Sequence, residues 1–309
     1  MKNEYILGID VGGTNIRAGL VDQTFQLSEF VIESSNQIMD ENHAIDKLVC
    51  FVEKYLENYR KEKNVVGISI GFPSTIDKSR KKVLSTPNIK GLNNVEVVDA
   101  LEKKLGIKTY IDKDVNMLML FDMFKGSIPD VGVTLGFYLG TGLGNAITID
   151  GELLIGKNGA AAELGHIPSR GFKGNCGCGN SSCVELFASG KYLKYLCDTY
   201  FEGTFIGNIF KKYVNHPRIK KFIHDLAIPV ATEINILDPD YIIIGGGLPQ
   251  MEGFPKKEFE DAIHEFARKP YPEQDLKFSY SVPTQENGVI GAGIYGYKMK
   301  ETTIKRRRA

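Results

Sequence analysis

At 309 residues, with 42% hydrophobic and 25% charged residues and a formal net charge of zero, the chain has the composition of an ordinary globular protein, long enough for one large domain or two that share a cleft. The neutral balance supplies no overall field to gather nucleic acid or an anionic membrane, which points to a small-molecule partner. The opening MKNEYILGIDVGG holds only a short apolar patch containing an aspartate, and no later stretch approaches the roughly eighteen apolar residues of a membrane span, so the expected location is the cytoplasm.

In chain order, Tyr5 to Ile9 and Ile16 to Val21 read as two antiparallel strands joined by a turn at Gly12 and Gly13. From Ala44, the residues Ile45, Leu48, Val49, Val52, Leu56 and Tyr59 recur at helical spacing. The β-branched run Val65 to Ile70 predicts a buried strand. Val97, Val98, Leu101 and Leu105 mark a helix ended by Gly106, and Lys108 to Ile111 the next strand. Asp114 then falls just past a strand end, at the start of a helix containing Met117, Leu118 and Phe121.

Beyond Gly126 the design starts again. Val131 to Leu139 reads as a strand, Gly140-Thr141-Gly142-Leu143-Gly144 as a glycine turn, and Ala146 to Ile149 as the returning strand. A long helix from about Lys220 to Leu237, bent at Pro229, precedes the strand Tyr241 to Ile244 and Gly245-Gly246-Gly247. The pattern predicts a duplicated α/β fold with ligands at strand ends. The basic tail from Lys305 reads as a solvated, disordered end. Cys50 and Cys197 read as apolar core residues of helices.

Glycine hairpins let phosphate oxygens approach backbone N–H groups, so Gly12, Gly13 and Thr14 on one side and Gly140, Thr141, Gly142 and Gly144 on the other are candidate phosphate loops, or plain turns. Neither has the spacing of a P-loop or of a dinucleotide fingerprint. Asp10 precedes the first and is placed to hold Mg²⁺ directly or through water. Gly245, Gly246 and Gly247 leave backbone bare for an adenine, or form a simple turn. Asp114 stands where either a general base or a helix N-cap would stand. Asn88, Lys113, Glu163 and Glu185 supply the donors and acceptors a polyhydroxylated ligand needs, though each is also an ordinary surface residue. His166, Cys176, Cys178 and Cys183 make a complete tetrahedral shell for Zn²⁺, or are buried or unrelated cysteines, with a disulfide as the weaker competitor because Cys176 and Cys178 are too close in sequence to pair easily.

Taken together, IDVGGTNIRAGLVD, YLGTGLGNAI, IIIGGG and AAAELGHIP followed by CGCGNSSCVE resemble the ROK family of sugar kinases and sugar-responsive repressors, over about Tyr5 to Tyr297 and in family order. The resemblance implies a duplicated actin-like, hexokinase-like (ribonuclease H-like) fold of two domains around a central cleft. Its small N-terminal domain would span 1–117 plus a C-terminal helix at about 289–302, and the larger one, with the zinc motif, 118–288. It further implies an ATP-dependent sugar kinase and a homodimer. Asp114 would take the proton of a sugar hydroxyl, Mg²⁺ would accompany ATP, and structural zinc would fix the sugar loop. Glu163, His166 and Glu185 would touch the hydroxyls near the anomeric end, His166 with one ring nitrogen on zinc and the other on sugar.

Three departures bear on the acceptor. Lys113-Asp114 replaces the Asn-Asp of glucose-phosphorylating members, Phe72-Pro73-Ser74-Thr75 replaces a Pro-Gly, and Ala162 replaces a Gly. With GFPST, STPN and KDVN they look closer to the D-allose kinase branch than to the glucokinase or N-acetylmannosamine kinase branches. A repressor would carry a helix-turn-helix before the first phosphate loop, and that loop begins by Gly8 here. A non-catalytic sensor would be expected to lack Asp114.

Overall fold

The structure, a computed structural model, describes residues 3–86, 89–171, 173–282 and 284–308. It divides into two compact units, one comprising Met1–Ser127, Ile155–Ala161 and Thr284–Ala309, the other Ile128–Leu154 and Ala162–Pro283.

In the first unit the strands are β1 (Glu4–Val11), β2 (Asn15–Asp22), β3 (Leu27–Ser34), β4 (Asn64–Phe72), the short β5 (Thr75–Ile76) and β6 (Val83–Ser85), and β7 (Thr109–Lys113). Five of them form a sheet in the order β3-β2-β1-β4-β7, antiparallel across β3, β2 and β1 and parallel across β1, β4 and β7. The helices are α1 (Ala44–Tyr59), α2 (Val97–Leu105) and α3 (Asp114–Lys125). Alternation decides the faces. Leu7, Ile9 and Val11 of β1 point into one core with Leu48, Val52 and Leu56 of α1 and Val97 and Leu101 of α2. Gly106, at φ +68°, ends α2 in the left-handed conformation that a Cβ would strain.

The second unit repeats this plan. Its strands are β8 (Val133–Leu139), β9 (Leu143–Ile149), β10 (Glu152–Leu153), β11 (Tyr241–Gly245) and β12 (Phe278–Tyr280), ordered β10-β9-β8-β11-β12. Strands β8, β9 and β10 are antiparallel, and β8, β11 and β12 parallel, as in the first sheet. Its helices are α4 (Gly190–Tyr200), α5 (Ile209–Tyr213), α6 (Pro217–Leu237) and α7 (Lys256–Phe266). Leu135, Phe137 and Leu139 of β8 join Leu193, Phe222, Leu226, Val230 and Phe259 in its core. Pro229 lies buried inside α6 and has no N–H to give the carbonyl four residues earlier.

The last helix, α8 (Asn287–Arg308), returns to the first unit and covers the other face of its sheet. It comes unusually near: a Cβ on Gly8 would stand 2.2 Å from the Val289 carbonyl oxygen, and one on Gly291 1.9 Å from that of Met117 in α3. The structure departs from the sequence reading in three places. The edge strand β3 is an addition, the basic tail continues α8 as helix to Arg308, and Cys50 is exposed on α1 whereas Cys197 is buried as expected. Among the described residues no helix is long and apolar enough to cross a membrane.

Candidate functional site

In the first unit the candidate residues gather at the C-terminal ends of the parallel strands, where open α/β sheets bind ligands. The hairpin after β1 is shaped from behind. Gly12 N–H donates to the Asn15 carbonyl (2.9 Å), Ser35 Oγ donates to the Gly12 carbonyl (2.6 Å), and Ser35 N–H donates to the Thr14 carbonyl (2.9 Å). Gly13 and Thr14 are exposed, and among the described residues their N–H groups meet no acceptor, so they are open to solvent. Sequence reading missed Ser35, since nothing local marks a serine that reaches back 23 positions.

Asp10, at the end of β1, accepts from Arg17 Nη1 at 3.3 Å, and Arg17 turns its Nε and Nη2 to Gln285 Oε1 at 3.1 and 2.7 Å. Burial raises the Asp10 carboxyl above the usual range, and the Arg17 guanidinium opposes that. Asp114 opens α3 directly after β7, with Lys113 as the capping position. Its Oδ1 accepts the Val115 N–H at 2.8 Å. Burial first, and the negative charge of Asp10 second, push its carboxyl up to about 7, against the Val115 N–H and Lys113. That is the range a base working near neutrality requires. Asp112, fully buried two residues before it in β7, holds Arg80 Nη2 (3.3 Å) and Asn116 Nδ2 (2.8 Å), another pairing that sequence spacing does not announce. Lys113 gives its Nζ–H to the Ala161 carbonyl at 2.7 Å. Asn88 lies outside the described residues.

In the second unit the hairpin after β8 is equally braced. Gly140 N–H donates to the Gly142 carbonyl (3.0 Å), while the first N–H groups of α4, from Gly190 and Lys191, donate to the carbonyls of Gly140 (2.8 Å) and Thr141 (3.0 Å). Ser189 caps that helix. Glu185 Oε2 accepts the Leu143 N–H at 2.8 Å, and a Cβ on Gly142 would stand 2.3 Å from the same oxygen. One carboxylate oxygen of Glu185 therefore supports the hairpin. Gly144 follows at the start of β9. Gly246, at φ +90°, packs on the Leu139 backbone, and Leu248 N–H donates to the Leu139 carbonyl at 2.8 Å. Gly245, Gly246 and Gly247 are thus brought beside the Gly140 hairpin, at the C-terminal ends of β11 and β8, and the space over Gly247 is open.

The donor atoms of His166, Cys176, Cys178 and Cys183 all lie within 4.8 Å of one another. His166 Nδ1 is 3.5 Å from Cys176 Sγ, and Cys178 Sγ is 3.4 Å from Cys183 Sγ, too long for a disulfide. Tetrahedral Zn²⁺ with bonds of about 2.0–2.3 Å puts neighbouring ligand atoms roughly 3.5 Å apart, so the set fits that ion. Turns shape it: Cys176 N–H donates to the Asn180 carbonyl (3.0 Å) and Gly179 N–H to that of Cys176 (3.0 Å), with Gly179 at φ +95°. The Asn180 N–H lowers the Cys178 thiol, whereas burial raises that of Cys183 to about 12. With Nδ1 facing the thiols, His166 turns Nε2 toward Glu163, 3.8 Å away.

A model of the ROK family matches residues 6–296. A glucokinase from Thermotoga maritima is 30% identical over 264 residues, spanning 79% of this chain and 82% of that protein. A putative xylose repressor from Caldicellulosiruptor is 29% identical over 267 residues, 78% of this chain and 65% of its own length. Among solved structures, a ROK family glucokinase from Streptomyces griseus in complex with glucose and AMPPNP superposes with a TM-score of 0.78 at 22% identity, covering 95% of this chain and 99% of that one. The chain belongs to the ROK family and has the hexokinase-like, actin-like two-domain α/β fold.

Proposed function

We propose that the protein is an ATP-dependent hexose kinase, with Asp114 as the base that accepts the proton of the attacking sugar hydroxyl. The observation that carries this reading is the Asp114 carboxyl itself, set at the first turn of α3 beside Asp10 and displaced to about 7, in a member of this family. A hydroxyl becomes acidic only late in phosphoryl transfer, so a carboxylate of that basicity suffices. The N–H groups of Gly13 and Thr14, and those of the Gly140–Gly144 hairpin, serve the phosphates, and Gly245–Gly247 the adenosine. Asp10 fits a magnesium ion held directly or through water, and Mg²⁺ would supply charge neutralisation on the phosphates. Glu163, His166 and Glu185 bind sugar hydroxyls, and structural zinc would fix the loop that carries His166. A cytoplasmic location and a homodimer belong to the same proposal.

The acceptor is a hexose. D-allose rests on the motif pattern and on Lys113 as a donor to a ring hydroxyl, and the second support weakens because the Lys113 ammonium already binds the Ala161 carbonyl. D-glucose, the substrate named in the glucokinase relatives, is the first competitor. The test is Asp114→Asn with ATP and a panel of allose, glucose, mannose, N-acetylmannosamine and N-acetylglucosamine. Near-normal turnover by the variant sinks the role of Asp114, and the wild-type ranking decides the sugar. The likeness to a repressor sustains a second reading, a sugar-responsive regulator, which sugar binding without any turnover would favour.

A further inference from the structure

Between β10 and Glu163 the chain leaves the second unit, and its residues Ile155–Ala161 belong to the first. This strap is held at two carbonyls by two consecutive residues of β7 and one partner. Lys113 Nζ donates to the Ala161 carbonyl at 2.7 Å. Arg80, whose Nη2 lies 3.3 Å from Asp112 Oδ1, donates from Nη1 to the Gly159 carbonyl at 3.3 Å. The strap also lies flush on the unit: at Gly159, with φ +80°, a Cβ would stand 2.3 Å from the Ile76 carbonyl oxygen. Its own ends meet where Ala161 N–H donates to the Ile155 carbonyl at 3.2 Å. The next residue, Ala162, has φ +61°, a left-handed conformation costing an alanine roughly 1 kcal/mol, and after it comes Glu163.

We propose that Lys113 is a positioning residue that ties down the strap ahead of Glu163, rather than a reader of sugar hydroxyls. Its side chain is suited to that task. Lys113 is only 5% exposed, and a buried ammonium needs acceptors close by. The Ala161 carbonyl at 2.7 Å takes one of its three N–H donors within the protein itself. The tether fixes the carbonyl of Ala161, the last residue of the strap, and Ala162, in the left-handed conformation, follows it in the chain ahead of Glu163. Asp112, Lys113 and Asp114 thus divide three tasks among three consecutive residues: one orients Arg80, one holds the strap, and one is the base of the proposed reaction. The sugar-binding consequence rests on the reading of Glu163 given above, whereas the tether itself does not.

The experiment compares Lys113→Met, Lys113→Arg and Gly159→Ala in the full chain. Lys157 is exposed in the strap, so trypsin reports its release as a fragment beginning at Asn158. Lys113→Met should raise the rate of that cleavage and the KM for the hexose by about tenfold each, with the KM for ATP changed by less than about twofold. Lys113→Arg, which keeps a cationic donor, should restore most of both. Gly159→Ala, which lifts the strap without touching Lys113, should reproduce the Lys113→Met pattern. A higher hexose KM in Lys113→Met with cleavage at Lys157 unchanged would mark Lys113 as a hydroxyl reader and overturn the proposal, as would unchanged cleavage and unchanged KM together. Should the wild type phosphorylate no hexose, the kinase reading fails while the cleavage rates still decide the tether.

Discussion

Replacing Asp114 by Asn should make the protein more stable at alkaline pH while abolishing its chemistry. The carboxyl is displaced from 3.8 to about 7, so its charged form is disfavoured in the folded state. Between those two values the folded protein holds a proton that the unfolded chain has released, and stability falls as pH rises through the interval. Below it Asp114 is neutral in both states and contributes nothing; above about 7 the full cost is present. A displacement of that size corresponds to about 4 kcal/mol at 1.36 kcal/mol per tenfold, and partial solvent access at Asp114 reduces this to about 2 kcal/mol. The amide of Asn keeps an oxygen for the Val115 N–H and carries no charge. For folding units of this size about 2 kcal/mol is worth roughly 5 °C. Thermal unfolding of wild type and Asp114→Asn, followed by circular dichroism from pH 4 to pH 8.5, should show melting temperatures that coincide at the acid end and separate by about that amount at the alkaline end. A constant offset, or a variant that melts lower at pH 8.5, would refute the argument that burial and Asp10 hold the carboxyl up.

Three further outcomes follow from other contacts. Chelation of the proposed zinc, or Cys178→Ser, should weaken hexose binding more than ATP binding by calorimetry, and an equal loss of both would contradict the proposed assignment of His166 to the sugar loop. Gly142→Ala places a methyl 2.3 Å from Glu185 Oε2 and should lower ATP affinity by about tenfold, by displacing the carboxylate from the Leu143 N–H; unchanged ATP affinity would show that the hairpin adapts. Gly291→Ala drives a Cβ to 1.9 Å from a backbone oxygen of α3, where nothing flexible can yield, and should cost about 3 kcal/mol in denaturant unfolding. A loss below about 0.5 kcal/mol would mean that α8 can shift away from α3 freely.

Much of this architecture is written locally. The apolar spacing from Ala44 to Tyr59 gives α1 with both ends, because an amphipathic face repeats within a few residues. The two glycine hairpins and the cysteine cluster are legible for a similar reason: turn chemistry and ligand types lie next to each other in sequence. Strand β3 was missed since Leu27–Ser34 is an edge strand whose residues are mostly half-exposed, without a clean alternation. Cys50 sits among apolar neighbours in sequence, yet the helix turns it outward. The supports of the site were the least visible. Ser35 behind the first hairpin, Arg80 on Asp112 and Lys113 on Ala161 each join residues dozens of positions apart, and no local pattern encodes such a meeting.

The return of α8 to the first unit fixes an order of assembly on the ribosome. The sheet β3-β2-β1-β4-β7 has all its strands once residue 113 has emerged, but the helix that covers one of its faces is made last, from Asn287 onward. Ile6 and Val21, packed against Gly296 and Gly293 in the finished protein, must wait for it. The second unit, interrupted only by the strap, has its entire sheet by Tyr280. Domains generally fold as units during synthesis, so here the later-encoded unit has its whole sheet before α8, which covers the sheet of the first unit, has been made.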